Sequence, residues 1–191
     1  MKGAFPLALL LAGLMAAPAA PVAAAVAAAP PPSPPGGSFL SAGGTAAWHF
    51  DRGRGGRGFV AEALFQPGAV GQFSRALAER RLGLSLRYHR SVVRKLLRLQ
   101  GAELCLRRAL GETGRPWQPF VELGIGQAQV DFERGGSDRS TWTAVLAAGA
   151  ERQLSGRWLA QGALQLRSLE YAGESLTHAA LLITIGGRID A

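Results

Sequence analysis

Three residues have the types and order of an activated nucleophile. His89 and Ser91 are separated by one residue, and Glu103 lies on the next apolar segment. A serine whose proton is taken by a histidine, itself oriented by a carboxylate, is competent for ester hydrolysis. A spacing of two also puts two side chains on one face of any strand, so the pair alone does not specify chemistry. Metal chemistry has less to draw on. His49, His89 and His178 are far apart and Cys105 is the single cysteine. Neither zinc-ligand spacing nor an internal disulfide is available, and no metal or cofactor is expected.

Charges are the other chemically capable groups. Lys and Arg total 21 against 13 Asp and Glu, a net charge of +8, and only Lys2 and Lys95 are lysines. One set, Glu62, Glu103, Glu122 and Glu151 with Arg87, Arg107, Arg167 and Arg188, falls on the polar side of segments that alternate with apolar residues. Four acids and four bases on one face suit ion pairing in a polar interior, since lone buried charges cost several kcal/mol, roughly, and paired ones are tolerated. A second set sits in polar connections: Arg52, Arg54 and Arg57, then Arg90, Arg94, Lys95 and Arg98, then Arg134 and Arg139. Guanidinium groups pair well with phosphate. In a cytosolic chain this excess of base would suggest nucleic acid.

The N-terminus argues for another compartment. Lys2 precedes an apolar stretch from Ala4 to Ala17, and small residues follow, with cleavage options near Ala20, Ala25 or Ala29. This is the order of a secretory signal, assigned to residues 1–29. Ala and Pro make the same stretch a poor spanning helix. Residues 30–40, beginning PPPSPP, read as an extended spacer, with the folded part, 41–191, starting near Ser41. For an exported protein the neighbouring anions are lipopolysaccharide phosphates, so lipopolysaccharide rather than nucleic acid is the expected contact of the second arginine set.

The body alternates every two residues, in runs of about ten, separated by Gly-, Ser- and Arg-rich turns. Leu82, Leu84, Leu86 and Tyr88 alternate with Gly83, Ser85, Arg87 and His89; Phe59, Ala61, Ala63 and Phe65 flank Glu62; Leu164 and Leu166 flank Gln165; Leu181, Ile183 and Ile185 flank Thr184. Similar runs lie at 121–125 and 141–151, with weaker ones at about 43–51 and 98–108, giving eight strands. Runs of this length suit tilted transmembrane strands, roughly 9–11 residues each, better than soluble ones. With both termini inside, a tight turn at Gln153–Arg157 lies inside and looser connections at Asp51–Gly58, Arg134–Ser140 and Glu170–Ser175 lie outside. Two stretches fit less well: Gln66–Arg81, containing a helix-like SRALAER, and Ser91–Leu99, which has the pattern of a short amphipathic helix.

Aromatics fall near strand ends, Trp117 and Trp158 at the inner rim and Phe132, Trp142 and Tyr171 at the outer, as in the girdles of membrane barrels. Alternation does not say which face points in. A soluble periplasmic lipocalin-like ligand-binding barrel, apolar inside and polar outside, is the inverted alternative.

The stretches RPWQPFVELGIGQAQVDFE, STWTAVLAAGAERQLSGRW, LQLRSLEY and HAALLITIGGRIDA, between Arg115 and Ala191, carry a family resemblance. They resemble the C-terminal half of small outer-membrane β-barrel proteins of the OmpA/OmpW/OmpX type. That resemblance implies an all-β, eight-stranded antiparallel up-and-down transmembrane barrel in the outer membrane of a Gram-negative bacterium. It also implies outer-membrane lipid and the barrel-insertion machinery as partners, and a monomer. The His89, Ser91 and Glu103 set is similar to that of the outer-membrane lipid A deacylases, though Val92 stands where that family carries Asn. The reading adopted is a structural or surface-interaction barrel without catalysis and not a general porin, with a lipid A-modifying ester hydrolase as the alternative. Eight strands leave an interior that side chains fill.

The export reading has a direct check. N-terminal sequencing of the exported protein should return a start after a residue between Ala20 and Ala29; an exported chain that still begins at Met1 would overturn it.

Overall fold

Two-residue alternation runs for 12 to 15 residues in each strand, and the strands close on one another. In the computed structural model they are β1 (Gly37–His49), β2 (Arg54–Gln66), β3 (Leu82–Val93), β4 (Leu97–Ala109), β5 (Gln118–Phe132), β6 (Arg139–Gln153), β7 (Trp158–Tyr171) and β8 (Glu174–Arg188). The structure describes residues 37–49, 54–66, 77–78, 80–93, 97–111, 116–132, 139–154, 157–171 and 174–189. Every strand pairs antiparallel with its sequence neighbours, and β1 closes on β8. The fold is an eight-stranded up-and-down barrel.

The register fixes the width. Phe39 opposes Leu64, and the partners that follow around the sheet are Ser85, Cys105, Gly124, Val145, Arg167 and His178. His178 opposes His49, ten positions beyond Phe39. A stagger of ten over eight strands tilts them by about 43° and gives a backbone radius of about 8 Å. No pore survives in a cylinder of that size once side chains are added.

The faces are unambiguous. Ile125, Trp142 and Ile183 are 63%, 68% and 61% exposed on the outside, while Glu62, Glu103 and Glu122 are buried within. Charge points in and apolar surface points out, so the inverted soluble barrel is not this fold. On β4 the outward residues between Arg98 and Arg108 are Gln100, Ala102, Leu104 and Leu106. Ten residues at about 3.3 Å each, tilted by about 43°, rise about 24 Å, the height of the apolar band of membrane barrels.

Several boundaries differ from the sequence expectation. β1 begins at Gly37, four residues before Ser41, so the end of the expected spacer belongs to the sheet. β2 begins at Arg54, and the β7–β8 ladder continues to Tyr171 opposite Glu174. The far-end connections are therefore shorter than expected. Two of the connections at the end carrying the termini, 67–81 and 110–117, are longer than any of 50–53, 94–96, 133–138 and 172–173 at the far end, while the third, 154–157, is the tight turn expected there. The reason is physical: strands continue past the apolar band, and there their outward residues turn polar and read as loop. Ser91–Leu99 is not a helix among the described residues; Ser91–Val93 ends β3 and Leu97–Leu99 begins β4. Of the helix-like piece, Leu77–Ala78 is helical. The signal segment 1–29 and the spacer up to residue 36 lie outside the described residues.

A charge on the outward face tests the orientation. Ile183→Arg should lower the stability of the refolded protein in lipid vesicles by about 2–4 kcal/mol, well beyond Ile183→Ala, in a urea titration. Equal losses for the two variants would show that position 183 does not meet lipid.

Candidate functional site

The inward side chains form layers. Near the terminal end Arg107 is the hub. Its Nε donates to Glu122 Oε1 (2.7 Å), Nη1 to Glu151 Oε2 (2.9 Å) and Gln161 Oε1 (2.8 Å), and Nη2 to Glu62 Oε1 (3.0 Å). Glu122 faces Arg107 directly across the β4–β5 ladder; Glu62 on β2, Glu151 on β6 and Gln161 on β7 are reached across the lumen. The guanidinium also lies 4.1 Å from the centre of the Phe120 ring, a cation–π contact. Arg87 Nη2 donates to Glu62 Oε1 (2.8 Å) and Glu122 Oε2 (2.6 Å). Gln161 Nε2 donates to Glu62 Oε2, and Gln66 Nε2 to Glu151 Oε1 (2.9 Å).

A second cluster lies farther along the lumen. Arg167 Nε donates to Glu103 Oε1 (2.5 Å), and Gln165 Nε2 to Glu103 Oε2 (2.9 Å). His89 Nδ1 lies 3.5 Å from Glu103 Oε1, and His178 Nδ1 lies 3.4 Å from Arg167 Nη1. The two clusters span β2 to β8 and tie opposite walls together.

Apolar layers close both ends. Val93, Leu99, Ala128, Val130, Leu169 and Leu176 pack together at the far end, and Phe39, Leu64 and Leu159 at the terminal end. Glycine relieves crowding between the adjacent strands β4 and β5. A Cβ on Gly126 would lie 2.2 Å from the Ala102 carbonyl oxygen, and one on Gly124 would lie 2.4 Å from Cys105 Sγ. Cys105 itself is a buried free thiol.

Of the eight lumen charges expected from sequence, Glu62, Arg87, Glu103, Arg107, Glu122, Glu151 and Arg167 meet in these clusters. Arg188 shares their face but sits at the rim, its guanidinium beside Gly37. The sequence reading placed Gln161, Gln165 and His178 on the polar face without making them members of the charge network, and it missed Gln66 and Phe120. The signal that finds them is parity, since each occupies the same strand face as a lumen charge. It also missed the apolar layers, whose residues do not differ in type from lipid-facing ones.

Of the three residues of the hydrolase alternative, His89 and Glu103 approach each other, at 3.5 Å. His89, Ser91 and Glu103 are 3%, 3% and 1% exposed, and neither Ser91 Oγ nor either His89 ring nitrogen has a hydrogen-bond partner among the described residues. The apolar layer of Val93 and Leu99 lies between the serine and the far end.

The second arginine set is mostly strand rather than loop. Arg54 and Arg57 are in β2, Arg90 in β3, Arg98 in β4 and Arg139 at the start of β6. Arg52, Arg94, Lys95 and Arg134 lie outside the described residues. Among the girdle residues, Trp117 and Trp158 are exposed at the terminal end and Trp142 at the far end. Phe132 and Tyr171 close β5 and β7 at the far end, and their side chains lie outside the described residues. Trp48, Phe59 and Tyr88 add exposed rings at the far end.

No family model matches the sequence, and no curated protein does. Solved structures do match. Neisserial surface protein A is similar at 12% identity with a TM-score of 0.65, over 80% of this chain and 97% of that one. OprG, an outer membrane protein of Pseudomonas aeruginosa, gives 12% and 0.55 over 84% and 99%. Ail, the attachment invasion locus protein of Yersinia pestis, in complex with the heparin analogue sucrose octasulfate, gives 11% and 0.54 over 81% and 99%. The chain has the fold of the small bacterial outer-membrane β-barrels.

Removing one lumen charge tests the network. Glu122→Gln leaves Arg87 and Arg107 short of a buried carboxylate and should cost about 3–5 kcal/mol, whereas Arg54→Gln at an exposed strand end should cost far less. Thermal or urea unfolding in detergent reads both; equal stability of the two variants would show the network to be dispensable.

Proposed function

We propose that the protein is a closed, non-conducting barrel of the outer membrane of a Gram-negative bacterium, with a structural or surface-contact role rather than transport. The observation that carries this reading is the lumen: two hydrogen-bonded charge clusters between apolar layers, inside a wall whose outer surface is apolar. The N-terminal segment directs export, the insertion machinery folds the chain, and a monomer buries every sheet edge through closure. The termini face the periplasm, and the far end faces outward.

At the far end, exposed Arg57, Arg90 and Arg98 provide contacts for lipopolysaccharide anions. A barrel of similar fold, Ail, has been crystallised in complex with the heparin analogue sucrose octasulfate, which supports this reading of the exposed arginines.

Two measurements test the proposal together. The mature protein should fractionate with the outer membrane and migrate differently on gels when heated. Reconstituted in planar bilayers it should show almost no steady conductance. A large stable conductance from the parent protein would show an open lumen and overturn the closed-barrel reading.

A further inference from the structure

The outward face of β2–β4 changes character in steps toward the far end. On β3 it runs from Leu86 through Tyr88 to Arg90, on β2 from Ala61 through Phe59 to Arg57, and on β4 from Leu104 through Ala102 and Gln100 to Arg98. Arg57 and Arg98 both oppose Val92, one from each side, and Arg90 is two residues from Val92 on the same face. With strands about 4.8 Å apart and same-face neighbours about 6.6 Å apart along a strand, the three Cα atoms lie within about 10 Å of one another. All three side chains are exposed.

The neighbours complete a surface with two chemistries. Phe59 opposes Arg90 and stacks against Tyr88, with ring centroids 5.7 Å apart at 54°. On the other side Gln100, also opposite Arg90, donates to Gln129 Oε1 at 2.8 Å. Asp131, outward on β5, faces Arg98 across the β4–β5 ladder, and the corresponding outward positions of the other wall, Trp142, Ser168, Glu170, Thr177 and Trp48, carry no base. Basic charge on this outward face is thus confined to one wall among the described residues.

We infer that the β2–β4 wall is a binding site for a phosphorylated glycolipid of the outer leaflet, with Arg57, Arg90 and Arg98 on the phosphate and the Phe59–Tyr88 pair against the acyl chains. The inference rests on the outer-membrane reading above and on its anion contacts, and adds that the ligand is held as a lipid, on the lipid-facing side of the wall with its acyl chains against the aromatic pair. Guanidinium groups bind phosphate through paired, charge-assisted hydrogen bonds. Aromatic rings sit well at the level where headgroup meets hydrocarbon. The occupant is a lipid rather than a soluble anion because the site is on the lipid-facing side of the wall, directly above the apolar band. A soluble anion would leave the aromatic pair unused.

The protein refolded in neutral phosphocholine micelles tests this by titration with bis-phosphorylated lipid A, dephosphorylated lipid A and inositol hexakisphosphate, with bound ligand read by native mass spectrometry. Lipid A should bind, and Arg57→Gln/Arg90→Gln/Arg98→Gln together should weaken it by at least about tenfold, the loss of one or more charge-assisted bonds. Arg152→Gln at the terminal end should change nothing. Should the triple variant fail to fold, Arg90→Gln alone should weaken binding by about threefold or more. Parent-like binding by the folded triple variant, equal binding of dephosphorylated lipid A, or equally tight binding of inositol hexakisphosphate would each overturn the inference. The heat-dependent gel shift reports folding of each variant, and cell fractionation reports the outer-membrane reading separately, so failure of the site is distinguishable from failure of the location.

Discussion

A stagger of ten residues over eight strands leaves an interior that has to be filled by the side chains of the wall itself. The constraint is geometric before it is energetic. Inward positions recur every second residue on all eight strands, and the backbone radius of about 8 Å brings opposite walls within reach of one long side chain. Arg107 on β4 contacts Glu62 on β2, Glu151 on β6 and Gln161 on β7 because those walls are that close. Arg167 on β7 meets Glu103 on β4 for the same reason. Between the adjacent strands β4 and β5, at Gly124 and Gly126, a Cβ would meet atoms of β4 at 2.4 Å or less.

Charge is a costly filling, and its arrangement follows from that cost. A guanidinium removed from water is tolerated only when carboxylates and further hydrogen bonds replace the solvent. Arg107 achieves this with partners from four strands and the face of Phe120. The carboxylates in turn are shared: Glu62 and Glu122 each accept from both Arg87 and Arg107. Each shared carboxylate couples two arginines, so the interior acts as a network rather than a set of pairs. The apolar layers at either end strengthen it by excluding water, which would screen the charges.

Architecture was legible in the sequence because strand parity is a local property. The run Leu82 to His89 shows its two faces without reference to any other strand, and the charges at Arg87, Glu62 and Glu122 mark which face differs from lipid. Three things were not legible. The apolar layers use Val, Leu and Phe, the same types that face lipid, so composition cannot separate Leu99 inside from Leu104 outside except by phase. Strand ends beyond the apolar band lose their signature, which is why Arg54, Arg57 and Glu174 read as loop although they pair in the ladder. Partner choice across the lumen depends on the stagger, which no single strand records: Arg167 and Arg188 are near in chain order, yet Arg167 bonds to Glu103 from the opposite wall and Arg188 lies at the rim.

The same stagger decides where interaction with other molecules takes place. His89 and Ser91 are enclosed among the described residues, each 3% exposed. What remains is the outer wall, and it is not uniform around its circumference. β2, β3 and β4 carry bases just above the apolar band, whereas the corresponding outward positions on β6, β7, β8 and β1 carry Trp, Ser, Glu and Thr. Because the strands continue past the band, those bases stand on a hydrogen-bonded sheet rather than on a free loop, and Val92 between Arg57 and Arg98 fixes their separation. A rigid platform loses less entropy on binding than a loop that must first be ordered. The filled interior, by tying β2, β3 and β4 to β5, β6 and β7 through Glu62, Arg87 and Arg107, holds that platform in shape.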